Sequence, residues 1–187
     1  MATAIRPRPL IYADLGSVVT EREGDRLELI DGVLYVTPAP RPAHQMVLDN
    51  LYFRLGLHVR SKGLGRVLTA PLDVRLSDTD VVQPDLLFIS QARLSIAGEV
   101  AIDGAPDLVV EILSHGTRER DRGAKRDLYA RVGVREYWLV DPRSHTIEVL
   151  SLQGGAYVAV PPDAAGVAHS ALLPGLTLDP AAVFNLG

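Results

Sequence analysis

One acidic residue interrupts an otherwise apolar run, Leu108-Val109-Val110-Glu111-Ile112-Leu113, and it restricts the folds open to this chain more than any other feature. Apolar, β-branched sequence of this length reads as a strand covered on both faces. An ionised carboxylate there costs several kcal/mol, roughly, unless a cation or strong donors satisfy it. Glu111 therefore needs a bound cation or a basic partner. A second run, Val81 to Ile89, repeats the pattern with Asp85, and Pro84 just before it marks an edge position or an irregular start to a strand. Carboxylates on two neighbouring strands converge on one point, as a metal site requires.

The 187 residues, 47% of them hydrophobic, suffice for a sizeable core, and the length favours one domain over 1–187 with residues 1–20 as an N-terminal arm. Arg6 and Arg8 are followed by no apolar stretch of the signal-peptide kind, and no segment approaches the roughly 18 uninterrupted apolar residues of a membrane span. The expectation is a cytoplasmic protein with no membrane partner. Without cysteine, disulfides, thiolate zinc sites and cysteine nucleophiles are excluded, and the five histidines (44, 58, 115, 145 and 169) include no close pair. A metal would be held mainly by oxygen, which points to Mg²⁺ or Mn²⁺.

The net charge of −4 argues against nonspecific coating of nucleic acid. Between His115 and Glu136, however, seven Arg or Lys stand against four Asp or Glu. That local positive excess is either a solvated helix face or part of a binding surface.

Leu27 to Ile30, then Asp31-Gly32, then Val33 to Val36 is a two-residue hairpin signal. In that register Leu27, Leu29, Leu34 and Val36 share one face, and Glu28, Ile30, Val33 and Tyr35 the other. Val47, Leu48, Leu51, Leu55 and Val59 recur at helical spacing from Pro42 to about Lys62, with His44 one step before on the same stripe. Arg66 to Leu76 alternates as one strand, its apolar residues on one face and Asp73 and Arg75 on the other. The polar connection Ser90–Pro106 leads to the Glu111 strand, then a helix of about Arg118 to Val132 closed by Gly133, then strands 136–140 and 146–150. Asp179-Pro180 reads as the capped start of a short terminal helix. Together these predict an α/β or α+β domain on one mixed sheet.

Lys125 lies three and four positions before Leu128 and Tyr129, which define the sheet-facing stripe of its helix, so its ammonium can reach both carboxylates. The alternative is a solvated Asp121–Lys125 pair worth a few tenths of a kcal/mol, roughly. Glu28 and His44 each have an ordinary reading too, as half of a surface pair and as a hydrogen-bonded histidine.

With Asp85 in "QPD" (83–85), Glu111 in "VVEIL" (109–113) and this order of elements, the chain resembles the PD-(D/E)XK nuclease superfamily. The likeness is closer to one branch, the Uma-two-type family of bacterial putative restriction endonucleases. It rests on "LELIDG" (27–32), "PLDVRL" (71–76), "VVQPDLLFIS" (81–90), "APDLVVEILS" (105–114), "KRDLYARVGVREYWLVDP" (125–142) and "LLPGL" (172–176). The superfamily's usual lysine position, two residues after the glutamate, is Leu113 here; the branch supplies its lysine from the following helix, which corresponds to Lys125. The family commonly has Ser-Pro-Ser-Thr where this chain has Ser114-His115-Gly116-Thr117, a difference in a loop and not in ligands.

The resemblance implies a restriction-endonuclease-like mixed sheet flanked by helices, with an N-terminal β-hairpin. It implies Asp85, Glu111 and the Ile112 carbonyl as ligands of Mg²⁺ or Mn²⁺ and Lys125 as the catalytic cation. Glu28, His44 and Asp73 would be supporting groups, and DNA cleaved by a homodimer the expected substrate. A nuclease fold retained as a catalytically inactive nucleic-acid-binding or scaffold domain is the competing reading, and a phosphoesterase acting on small nucleotides a third.

Overall fold

The structure, a computed structural model, describes residues 8–20, 22 and 24–186; residues 1–7 of the expected N-terminal arm lie outside the described residues. One short helix, α1 (Tyr12–Leu15), precedes the hairpin. Strands β1 (Arg26–Ile30) and β2 (Val33–Thr37) pair in the expected register, with Glu28 opposite Tyr35 and Leu29 opposite Leu34. Asp31 and Gly32 take φ of 51° and 73°, the positive values that a tight two-residue turn of this hand requires. Helix α2 (Pro42–Ser61) buries Val47, Leu48, Leu51, Leu55 and Val59, its expected stripe.

The next two segments depart from expectation. Arg66–Leu76 is not one strand but β3 (Gly65–Thr69) and β4 (Val74–Arg75), separated by a cis Ala70–Pro71 peptide. Val81–Ile89 likewise divides into β5 (Val81–Val82) and β6 (Leu86–Ser90) at Gln83-Pro84-Asp85. The pair β3/β6 lies in one sheet and β4/β5 in another. Two strands therefore turn the same corner together, and each carries a proline there, which has no N–H to give to a ladder. At the corner the Ala70 amide donates to the Asp85 carbonyl at 3.1 Å.

Instead of one sheet, the described residues form two large ones and a two-stranded ladder. The connection after β6 holds a 3₁₀ helix, Gln91–Ile96, and β7 (Ile102–Asp103). It is followed by β8 (Leu108–Ile112), β9 (Glu136–Asp141), β10 (Thr146–Gln153) and β11 (Ala156–Val160). The larger sheet runs β11-β10-β9-β8-β6-β3, with β8 and β9 parallel and its other pairs antiparallel. The smaller runs β2-β1-β5-β4 and ends on β7. Strands β12 (Ala168–His169) and β13 (Thr177–Leu178) pair with each other.

Between β8 and β9 the helix comes in three pieces: α3 (Arg118–Arg120), a π-helical turn at Asp121–Lys125, and α4 (Arg126–Val132). Gly133, at φ 86°, ends it in the left-handed conformation expected of that glycine. Helix α5 (Pro180–Val183) starts at Asp179, whose carboxylate accepts from the Ala181 amide. Alternation along β8 sends Leu108, Val110 and Ile112 to the α2 side of the larger sheet, and Val109 and Leu113 to the side of Leu128 and Tyr129. Glu111 shares the second side. No helix among the described residues is long and apolar enough to cross a membrane.

Candidate active site

Antiparallel pairing of Leu86 with Val110 and Leu87 with Val109, continued by one residue, sets Asp85 opposite Glu111. Both side chains are buried. Asp85 sits where β6 leaves the ladder, so its carboxylate is free to turn across β8. Its Oδ2 accepts the Ile112 amide at 2.8 Å and faces His44 Nε2 at 3.1 Å. Its Oδ1 meets Arg26 Nη1 at 2.7 Å. Burial works to raise the Asp85 pKa, but contacts with His44 and then Arg26 outweigh it and hold the group at about 2.

Glu111 is served differently. Lys125 Nζ donates to its Oε1 at 2.9 Å and the Tyr129 hydroxyl to the same oxygen at 2.8 Å. Among the described residues no donor reaches Oε2. Burial raises its pKa; Lys125 opposes this, while Asp121, Asp85 and Glu28 add to it, and the group is pushed up to about 8. Lys125 also lies 2.7 Å from Glu28 and 3.8 Å from Asp121. Burial alone would discharge Lys125, yet the carboxylates of Glu111, Glu28 and Asp121 raise its pKa above the ordinary value and keep it an ammonium.

Glu28 reaches the site because β1 pairs with β5 through Leu29 and Val81, which brings it under the strand break. There the Gln83 amide, released from any ladder by the corner, donates to Glu28 at 2.9 Å, and Arg120 lies 3.1 Å away. Asp121 and Lys125 are both buried on the π turn, so the alternative of a solvated pair does not hold. Of the residues singled out from the sequence, Asp85, Glu111, Lys125, Glu28, His44 and Ile112 line one cleft of about 710 Å³. For Ile112 the group seen in contact is the amide and not the carbonyl.

Asp73 does not join them. It lines a separate depression, where it accepts from Tyr12 Oη at 3.3 Å and Gln83 Nε2 at 2.8 Å. Its link to the site is indirect, through the residue whose amide holds Glu28. Sequence reasoning missed Arg26, Arg120, Asp121 and Tyr129 as parts of the cluster. For two of them a signal existed: Arg26 shares the Glu28 face of β1 by alternation, and Tyr129 follows Lys125 by four residues on its helix.

The donor set fits a hard divalent cation held largely by water. No cluster of three or more His, Asp or Glu side chains among the described residues has the arrangement of a metal cage. Two carboxylates are nevertheless enough for Mg²⁺, which dehydrates reluctantly and is commonly bound by one or two carboxylates and a substrate phosphate. With the exposed Arg41 and Arg143 at the mouth left aside, Glu28, Asp85, Glu111 and Asp121 outnumber Arg26, Arg120 and Lys125 by one, and among the described residues no hydrogen-bond donor reaches the buried Asp121 Oδ1. Without a metal, a proton on Glu111 takes up the excess.

This mixed sheet, with the carboxylates at its corner, is a restriction-endonuclease-like fold. The chain belongs to the Uma2 family, described as "Putative restriction endonuclease", which it matches over residues 12–181. A crystal structure of a putative nuclease of the DUF820 group from Anabaena variabilis superimposes with a TM-score of 0.75 at 21% identity, covering 95% of this chain and 99% of that one. No curated protein shows significant similarity to the chain.

Proposed function

We propose that this protein is a Mg²⁺- or Mn²⁺-dependent endonuclease that hydrolyses phosphodiester bonds of DNA. The observation that carries the reading is the opposition of Asp85 and Glu111 across β6 and β8, with Lys125 2.9 Å from Glu111. Asp85 and Glu111 would hold the metal, with the Ile112 carbonyl as a further oxygen. The bound cation would supply Lewis acidity toward the scissile phosphate. Lys125, kept protonated by its carboxylates, orients the attacking water and stabilises the negative charge that builds on phosphorus. The water oxygen loses a proton to solvent and bonds to phosphorus, the bond from phosphorus to one deoxyribose oxygen breaks, and that oxygen takes up a proton from solvent as it leaves.

Glu28 fixes Lys125, Tyr129 fixes Glu111 and His44 fixes Asp85, each through one of the contacts above. Arg41 and Arg143 at the cleft mouth provide positive charge for the flanking phosphates. The enzyme would act in the cytoplasm and as a homodimer, since duplex cleavage uses two sites, and sedimentation velocity tests the latter.

The direct test is a titration of Mg²⁺ and Mn²⁺ into the wild type and Glu111→Ala on supercoiled plasmid. Metal-dependent nicking by the wild type, lost in Glu111→Ala, is the expected result. Metal binding without cleavage of DNA or RNA would overturn it in favour of an inactive nuclease-fold scaffold, a reading that the net charge of −4 favours.

A further inference from the structure

The cation nearest Asp85 belongs to the protein itself. Arg26 reaches in from the first residue of β1, and its guanidinium is the partner of Oδ1, the Asp85 oxygen that neither the Ile112 amide nor His44 occupies. Its second contact is weak, a 3.5 Å approach to the Gln83 carbonyl, and its buried Nε has no acceptor among the described residues. A guanidinium built solely as a structural cross-link would have its donors satisfied. Arg26 also lines the cleft with Glu28 and Glu111, but those two carboxylates have their own cations in Lys125 and Arg120, so the Arg26 guanidinium serves Asp85. A divalent cation held by Asp85 and Glu111 would compete with the guanidinium for the same Oδ1.

We propose that Arg26 is an internal counter-ion of Asp85, a positioning residue whose guanidinium a divalent cation must displace from Oδ1 before it can bind. Resting on the two-carboxylate reading of the site, this adds that metal affinity is held down by a residue of the chain. While the guanidinium stays, Asp85 is ionised and aimed into the cleft without a metal. When it leaves, the carboxylate has the lone pairs a metal needs and does not have to reorganise.

The experiment is a Mn²⁺ titration of the full chain without substrate, followed by electron paramagnetic resonance of free Mn²⁺, on wild type, Arg26→Gln, Arg26→Lys and Asp85→Asn. Arg26→Gln should bind Mn²⁺ about tenfold more tightly than wild type, one unit charge less competing at the site. Arg26→Lys should fall between, and Asp85→Asn should bind more weakly than wild type. Equal or weaker binding by Arg26→Gln, with Asp85→Asn still impaired, overturns the role of Arg26 and leaves the metal site standing. No binding by any variant overturns the metal site and this inference with it. Should Arg26→Gln fail to fold, the wild type decides: Mg²⁺ should shift the Arg26 side-chain ¹⁵Nε resonance, assigned by its loss in Arg26→Lys. A resonance unmoved at saturating Mg²⁺ overturns displacement.

Discussion

Glu111 and Glu136 lie on neighbouring parallel strands and are almost equally withdrawn from solvent, 3% and 0% exposed, yet their surroundings have opposite designs. At Glu136 the Trp138 indole N–H and the Ser170 hydroxyl donate to Oε1 at 2.6 and 2.7 Å, and the amides of Ala171 and Leu172 to Oε2, both at 2.8 Å. Four neutral donors fill its lone-pair directions and fasten the C-terminal segment to the sheet. Glu111 has two donors on one oxygen and three other carboxylates nearby. Burial of a carboxylate thus says little about function; what separates the two is whether its acceptor capacity is used up. A saturated glutamate is a rivet, and an unsaturated one among like charges has room for a cation.

The largest difference should appear in catalysis. Glu111→Gln is expected to lower plasmid nicking about 10³-fold or more, because losing several kcal/mol of metal-assisted stabilisation costs a factor of ten per 1.36 kcal/mol. Its thermal midpoint should stay near that of wild type, since the amide still accepts from Lys125 and Tyr129. Retained cleavage would remove Glu111 from the site.

Glu136→Gln should do the reverse. An amide nitrogen turned toward N–H or O–H donors leaves at least one of them unmatched, at about 3 kcal/mol and therefore roughly 6–12 °C in midpoint for a chain of this size. Mn²⁺ affinity should not change. A midpoint within about 2 °C of wild type would show that the four donors find other partners, and the contrast with Glu111 would lose its basis.

How much of this contrast the sequence carries depends on the kind of information involved. Glu111 stood out because it breaks an apolar run, and Asp85 because it repeats the break beside a proline. Glu136 did not, because it opens its strand next to Arg135 and looks like a surface residue; its donors lie two residues away and at 170–172, a separation no local pattern encodes. The hairpin, α2 and the Glu111 strand were legible for the same reason, a period of 2 or 3.6 over enough residues. The second sheet was not. Leu68, Leu72, Val74 and Leu76 pack on one cluster across the corner at Pro71, so alternation continues where the ladder changes partner. The burial of Asp121 beside Lys125 was not legible either, because helical spacing alone does not reveal that a π turn presses it against the sheet.

Protonation sharpens the comparison further. In the folded, metal-free protein Glu111 titrates at about 8, against an unfolded value near 4.5, so between these pH values the folded state holds a proton that the unfolded state has released. Stability therefore falls as pH rises through that window, and Asp121, also raised by burial, adds in the same direction. Urea denaturation in chelator should show a loss of about 2 kcal/mol from about pH 6 to about pH 8. Glu111→Gln should flatten this slope and Glu136→Gln should not. A wild-type slope of zero or opposite sign would mean that Glu111 is ionised without a metal.

The smallest effect is expected at Tyr129, and it tests whether the one filled oxygen of Glu111 is a matter of stability or of aim. Its hydroxyl donates to Oε1 beside the Lys125 ammonium, and burial followed by the neighbouring Glu111 charge holds the phenol well above its ordinary pKa, so it is a donor at any working pH. Tyr129→Phe removes one hydrogen bond and no charge, a cost of about 1 kcal/mol. If the hydroxyl serves to aim Oε2 into the cleft, that energy should appear mainly as a fall of about fivefold in kcat, with KM for DNA unchanged. If it serves the core, the fall should appear in the thermal midpoint with turnover retained. The second outcome would make the Tyr129 contact resemble those around Glu136, and would confine the functional difference between the two glutamates to Lys125 and the carboxylates that surround it.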